Sequence, residues 1–180
     1  MTGDALWYEA AQVVGITNAL NVAADTLDGL EAVDEASAPA EARVLFAEMR
    51  DFYQRDAIPP GFRFIARDPT YAAEVWATMR HAFADHRLSR RLKESLAFAV
   101  SVTSRSASGA DFHLSEMRRL GVGPRGVMEI VGVTQMFSSY TKIADTLQLE
   151  PDMDGLAAVD RSPAPGGAAP PAPTRPPEAP

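Results

Sequence analysis

LKESLAFAVSVTSRSASGADFHLSEMRRLG, residues Leu92 to Gly121, is the stretch on which the reading of this chain turns. Leu88, Leu92, Leu96 and Val100 recur every fourth residue, which predicts a helix over 89–103 with one apolar stripe. The small polar run SVTSRSASG, residues Ser101 to Gly109, then breaks the pattern. Ala110, His113, Met117 and Leu120 share one face of a second helix over 106–120, and Gly121 supplies its stop. Glu94 on the first helix and His113 on the second both sit among apolar neighbours. If they meet in a dry pocket they share a proton and act as general acid and base. Two bland alternatives stay open: Glu94 as a residue of a solvated helix face, and His113 as a hydrogen-bonded core histidine.

On either side of this stretch the body reads as all helix. Leu6, Ala10, Val13, Val14, Thr17, Leu20 and Ala24 predict a first helix over 5–27. Val44, Leu45, Glu48, Met49 and Phe52 predict a second over 39–54, broken by Ile58-Pro59-Pro60-Gly61. Asp68-Pro69 reads as an N-cap followed by proline at the first helical position, opening a helix with Ala72, Val75, Trp76, Met79 and Phe83. Gly123-Pro124 opens a last long helix to Leu149, which Pro151 closes. About six helices are expected.

Part of the chain repeats. Val14-Gly15-Ile16-Thr17 matches Val131-Gly132-Val133-Thr134, and Ala24-Asp25-Thr26-Leu27 matches Ala144-Asp145-Thr146-Leu147. Asp28 to Asp34 matches Asp154 to Asp160 at six of seven positions. One helix-plus-exit unit therefore occurs twice, too few copies for a solenoid. Eight of the 14 prolines fall in the last 20 residues, a stretch without aromatic or large aliphatic side chains, so the tail is expected to be disordered. The expected division is an N-terminal helical arm, 1–34, repeated at 128–160; a helical domain, 35–156; and a Pro/Ala-rich tail, 157–180.

Composition excludes several functions. With 17 Lys+Arg against 24 Asp+Glu the net charge is -7, which disfavours nucleic acid and anionic membrane as partners. No apolar run is long enough to span a bilayer. The N-terminus shows no basic and apolar signal pattern, so a cytoplasmic location is expected. There is no cysteine, hence no disulfide and no thiolate nucleophile. His81, Asp85 and His86 are too few for a metal site, and Gly121-Val122-Gly123 lacks the context of a dinucleotide fingerprint, so neither metal nor cofactor is expected.

The stretch from Leu92 to Gly121 resembles the core motif of the alkylhydroperoxidase D-like and carboxymuconolactone decarboxylase superfamily. That motif sets a Glu on one helix and a polar turn before a Cys-x-x-Cys-x-x-x-His signature on the next. Glu94 and His113 stand at the glutamate and histidine, Ser101 at a serine often seen in the Glu helix, and Ser106 and Gly109 at the two cysteines. The likeness covers about 57–149 and implies an all-α, alkylhydroperoxidase D-like helical bundle that assembles into homo-oligomers. It also implies a peroxidase branch that this chain cannot follow, because a hydroxyl does not cycle through sulfenic acid and disulfide.

A decarboxylase-like branch works without thiols. It would use Glu94 and His113 as catalytic residues on a small organic acid or lactone, with Arg105, Ser101 and Ser106 as substrate-binding candidates. The serines have an alternative as caps of the His113 helix, and the arginines as partners of surface carboxylates. Two functions stand side by side: a non-redox acid–base enzyme, and a catalytically silent oligomeric scaffold or regulatory member.

Overall fold

The computed structural model describes residues 3–27, 29–56 and 58–148. The predicted tail and the last block of the repeat, at 154–160, lie outside them. The chain divides into two units, 1–140 and 141–180, the division falling within the last helix. The described residues form seven helices: α1 (Gly3–Leu27), α2 (Ala40–Tyr53), α3 (Pro60–Ile65), α4 (Pro69–Phe83), α5 (Arg90–Ser104), α6 (Ala107–Arg119) and α7 (Pro124–Leu147). The one beyond the expected six is α3. Its break signal, Pro59-Pro60, is also a start signal, because proline at the first helical position has no N–H to leave unpaired.

Local chemistry explains the boundaries. The Asp68 carboxylate accepts from the Tyr71 N–H to cap α4, with Pro69 at the first position. Ser89 caps α5 through Leu92 N–H, and Ser106 caps α6 through Gly109 N–H. Three helices end on a residue in the left-handed region, Gln54 after α2, Arg105 after α5 and Gln148 after α7. Gly121, with φ +85°, turns the chain after α6, a conformation that costs glycine little.

Within the first unit α5 and α6 form an antiparallel-type hairpin joined by two residues, and α1 lies along both while also packing on α3 and α4. The core is aromatic. Tyr53, Phe62 and Phe83 are fully buried, with Trp76 almost so. Edge-to-face contacts join Phe62 to Trp76 and Tyr53 to Phe112 at 5.9 and 5.0 Å between ring centres.

On α5 burial departs from the sequence pattern. Leu92, on the predicted apolar stripe, is 45% exposed, whereas Lys93 and Glu94 are fully buried. The inward face is Arg90, Lys93, Glu94, Ala97, Phe98 and Ser101. The helix turns its charges inward because α1 and α6 present the groups that match them.

Candidate active site

The centre of the site is the pair that the sequence singles out. Glu94 Oε2 lies 2.8 Å from His113 Nδ1, with the carboxylate fully buried and the imidazole 5% exposed. Arg90, one turn before Glu94, donates from Nε to the other carboxylate oxygen, Oε1, at 2.8 Å. A carboxylate engaged in an ion pair only accepts, so Nδ1 donates to Oε2. The Phe83 ring stacks on the imidazole, nearly parallel at 7°, and fixes its plane. The result is an oriented base backed by a carboxylate and a cation.

Arg90 is itself held from several sides. Its guanidinium lies 4.2 Å from the Phe52 ring centre and 4.7 Å from that of Tyr53. Its Nη2 makes no hydrogen bond among the described residues and lies 3.8 Å from the buried Glu116 carboxylate. Glu116 also receives Arg55 and Arg119, at 3.1 and 2.8 Å. Burial pushes the Tyr53 phenol well above its ordinary range, and the Glu94 and Glu116 carboxylates add to this against the pull of Arg90 and Arg55.

α1 supplies a second polar column. Glu9 pairs with the fully buried Lys93 ammonium at 2.5 Å and accepts the N–H groups of Arg87 and Leu88. Burial alone pushes the Glu9 carboxyl up, but Lys93 and those two N–H groups outweigh it and hold it below its usual range. Three turns on, the Asn21 carboxamide donates to the Ser101 and Ser104 hydroxyls, both at 3.1 Å. Asp25 accepts from Ser106 Oγ at 3.0 Å.

Asn21 fills the space that Gly109 leaves. A Cβ built on Gly109 meets Asn21 Oδ1 at 2.2 Å and Ser101 Oγ at 2.8 Å. The position admits no side chain while Asn21 keeps its place. A small cleft of about 20 Å³ opens beside this contact. Its polar walls are Asn21, Ser108 and His113, and its apolar ones include Leu20, Met79 and Phe112.

The structure brings Glu94 and His113 together and sets Ser101 behind Asn21, fully buried and bonded to its carboxamide. Ser106 caps α6 and is 1% exposed; neither serine borders the cleft. Arg105 is exposed at the end of α5, also away from its walls. Periodicity of apolar residues alone passes over Glu9, Asn21, Arg90 and Glu116. A usable signal was present on α1: Glu9, Thr17, Asn21 and Asp25 share one stripe with the apolar Val13, each step four residues, so these polar groups follow a core-facing residue.

Residues 69–149 match the carboxymuconolactone decarboxylase family. A crystal structure of the alkylhydroperoxidase AhpD core from Rhodospirillum rubrum superposes with a TM-score of 0.65 at 20% identity, covering 71% of this chain and 96% of that one. Over residues 69–149 the chain is similar to the carboxymuconolactone decarboxylase family, and its helical fold is alkylhydroperoxidase D-like. No curated protein matches it significantly. Among the described residues no group of three or more His, Asp or Glu side chains could hold a metal ion, and no helix is long and apolar enough to cross a membrane.

Proposed function

We propose that this chain is a non-redox acid–base member of its superfamily, in which Nε2 of His113 moves a proton on a small lactone or organic acid. The observation that carries the reading is the 2.8 Å contact between Glu94 and His113, set in a dry core beside a cleft that the imidazole borders. Glu94 acts by orienting the ring and stabilising its protonated form, and Arg90 keeps Glu94 in place. Ser106 and Gly109 stand where the family signature carries cysteines, so a thiol cycle has no sulfur to run on.

The test is exchange of the carbon-bound protons beside a lactone carbonyl with deuterated solvent, monitored by proton NMR. His113→Ala is expected to lower the catalysed rate by about 10²–10⁴-fold, the usual range for general acid–base catalysis. An unchanged rate in His113→Ala refutes the reading.

A second reading, the catalytically silent homo-oligomeric scaffold, draws on a different observation. Met128, Val133, Met136 and Tyr140 on α7 are each more than half exposed. Sedimentation showing a stable oligomer, with no exchange above a blank, favours the scaffold.

A further inference from the structure

We infer that the cleft beside His113 takes a small uncharged molecule, a neutral carbonyl or hydroxyl compound, in preference to an organic acid. This narrows the substrate class of the proposed acid–base site, and it rests on that reading only for the chemical step after binding.

The preference comes from the walls. Asn21, Ser108 and His113 are the polar groups that border the cleft, and among the described residues no Lys or Arg does. The cations nearby are engaged elsewhere. Arg90 is bound to Glu94, Arg55 and Arg119 to Glu116, and Lys93 to Glu9 and the Ala84 carbonyl. Arg105 is exposed at the end of α5. Meanwhile Glu94 lies directly behind the imidazole, and Asp25 binds Ser106 on the α1 side.

An anion entering the cleft gives up its hydration without a Lys or Arg side chain on its walls to offset the loss, and Glu94 lies behind the imidazole it meets. A neutral molecule faces no such cost. The Ser108 hydroxyl both donates and accepts, and Asn21, whose two amide hydrogens go to Ser101 and Ser104, offers Oδ1 as an acceptor, so a carbonyl or a hydroxyl finds a partner there. Asn21 is pre-set for this, since Ser101 and Ser104 fix its carboxamide.

Size narrows the class further. A cleft of about 20 Å³ has room for about one water-sized group, so a ligand seats its carbonyl or hydroxyl end there and leaves the rest at the open mouth. Met79, an unbranched side chain on one wall, is the group that yields most easily to a slightly larger guest.

Acetamide and acetate are nearly isosteric and differ in charge, which makes them the probes. The full chain is titrated with each at neutral pH and matched ionic strength, reading the amide signals of Ser108, Gly109 and Phe112 by two-dimensional NMR. Acetamide is expected to shift them saturably, with affinity at least about tenfold above that of acetate. Ala24→Leu, which fills the cleft from α1, should abolish the effect, and Ser108→Ala should weaken it.

Acetate binding as tightly as acetamide overturns the inference. So does failure of both to saturate, or shifts that persist undiminished in both variants. The two proposals fail separately. Selective acetamide binding without lactone proton exchange removes only the acid–base reading, and lactone exchange without discrimination between the probes removes only this one.

Discussion

Gly109 and Asn21 are coupled by a contact that can be measured. A methyl group at residue 109 meets Asn21 Oδ1 at 2.2 Å, Ser101 Oγ at 2.8 Å and Ser106 Oγ at 3.1 Å. The serine oxygens end short side chains that can rotate. The Asn21 oxygen cannot retreat easily, because its carboxamide is tied to Ser101 and Ser104 and its helix is packed on α3 and α5.

Overpacking of this kind costs about 1–3 kcal/mol. Against it stands the helix propensity of Ala over Gly, worth about 1 kcal/mol. Gly109→Ala is therefore expected to lose up to about 2 kcal/mol net in the wild-type background. Asn21→Ala removes the obstacle and leaves the buried Ser101 hydroxyl without its carboxamide partner, at a cost of about 1–3 kcal/mol. In that background Gly109→Ala should become neutral or stabilising by up to about 1 kcal/mol.

The cycle thus predicts a coupling of about 1–3 kcal/mol, favourable to the double variant. Urea unfolding of the four proteins, with a common m-value, gives the number. Equal effects of Gly109→Ala in both backgrounds would refute the interlock.

The same geometry sets other outcomes. Glu94→Ala leaves Arg90 and His113 without their buried carboxylate and should destabilise the protein by about 3–5 kcal/mol, read by chemical denaturation; a loss below about 1 kcal/mol would place Glu94 in solvent. Glu9 has a folded-state pKa below its unfolded one, so its stabilising contribution is full above the unfolded value near about 4.3 and is lost as pH falls through the lower, folded value. The gap in unfolding free energy between wild type and Glu9→Gln should therefore shrink on acidification; a gap constant from pH 7 down to pH 2 argues against the Lys93 pairing. Peroxide consumption by the purified chain with a dithiol donor should not exceed a blank, and turnover abolished in His113→Ala would contradict the chemistry assigned to a chain without cysteine.

Much of the fold was legible because its signals are local. Asp68, Ser89 and Ser106 cap the helices they precede, and Gly121 closes α6 where its lack of Cβ is needed. The Glu94 and His113 pairing was readable as a candidate because both are ionisable groups in apolar stretches on consecutive helices. α3 was missed because two prolines read equally as a stop and as a start.

Residue identity and spacing were enough to exclude a thiol step and to set the run of helices. A chain with no cysteine has no thiol step, and periodicity with capping residues sets where helices begin and end. Which faces look inward was settled only by packing. On α5 the leucine stripe and the charged stripe are both regular, and nothing local chooses between them. The choice falls to Lys93 and Glu94 because Glu9 arrives from α1 to neutralise the ammonium, while Arg90 and His113 close on the carboxylate. In the same way Asn21 meets Ser101 across 80 residues and closes over Gly109. A buried charge is tolerable only beside its partner, and the partner's position is a property of packing rather than of spacing.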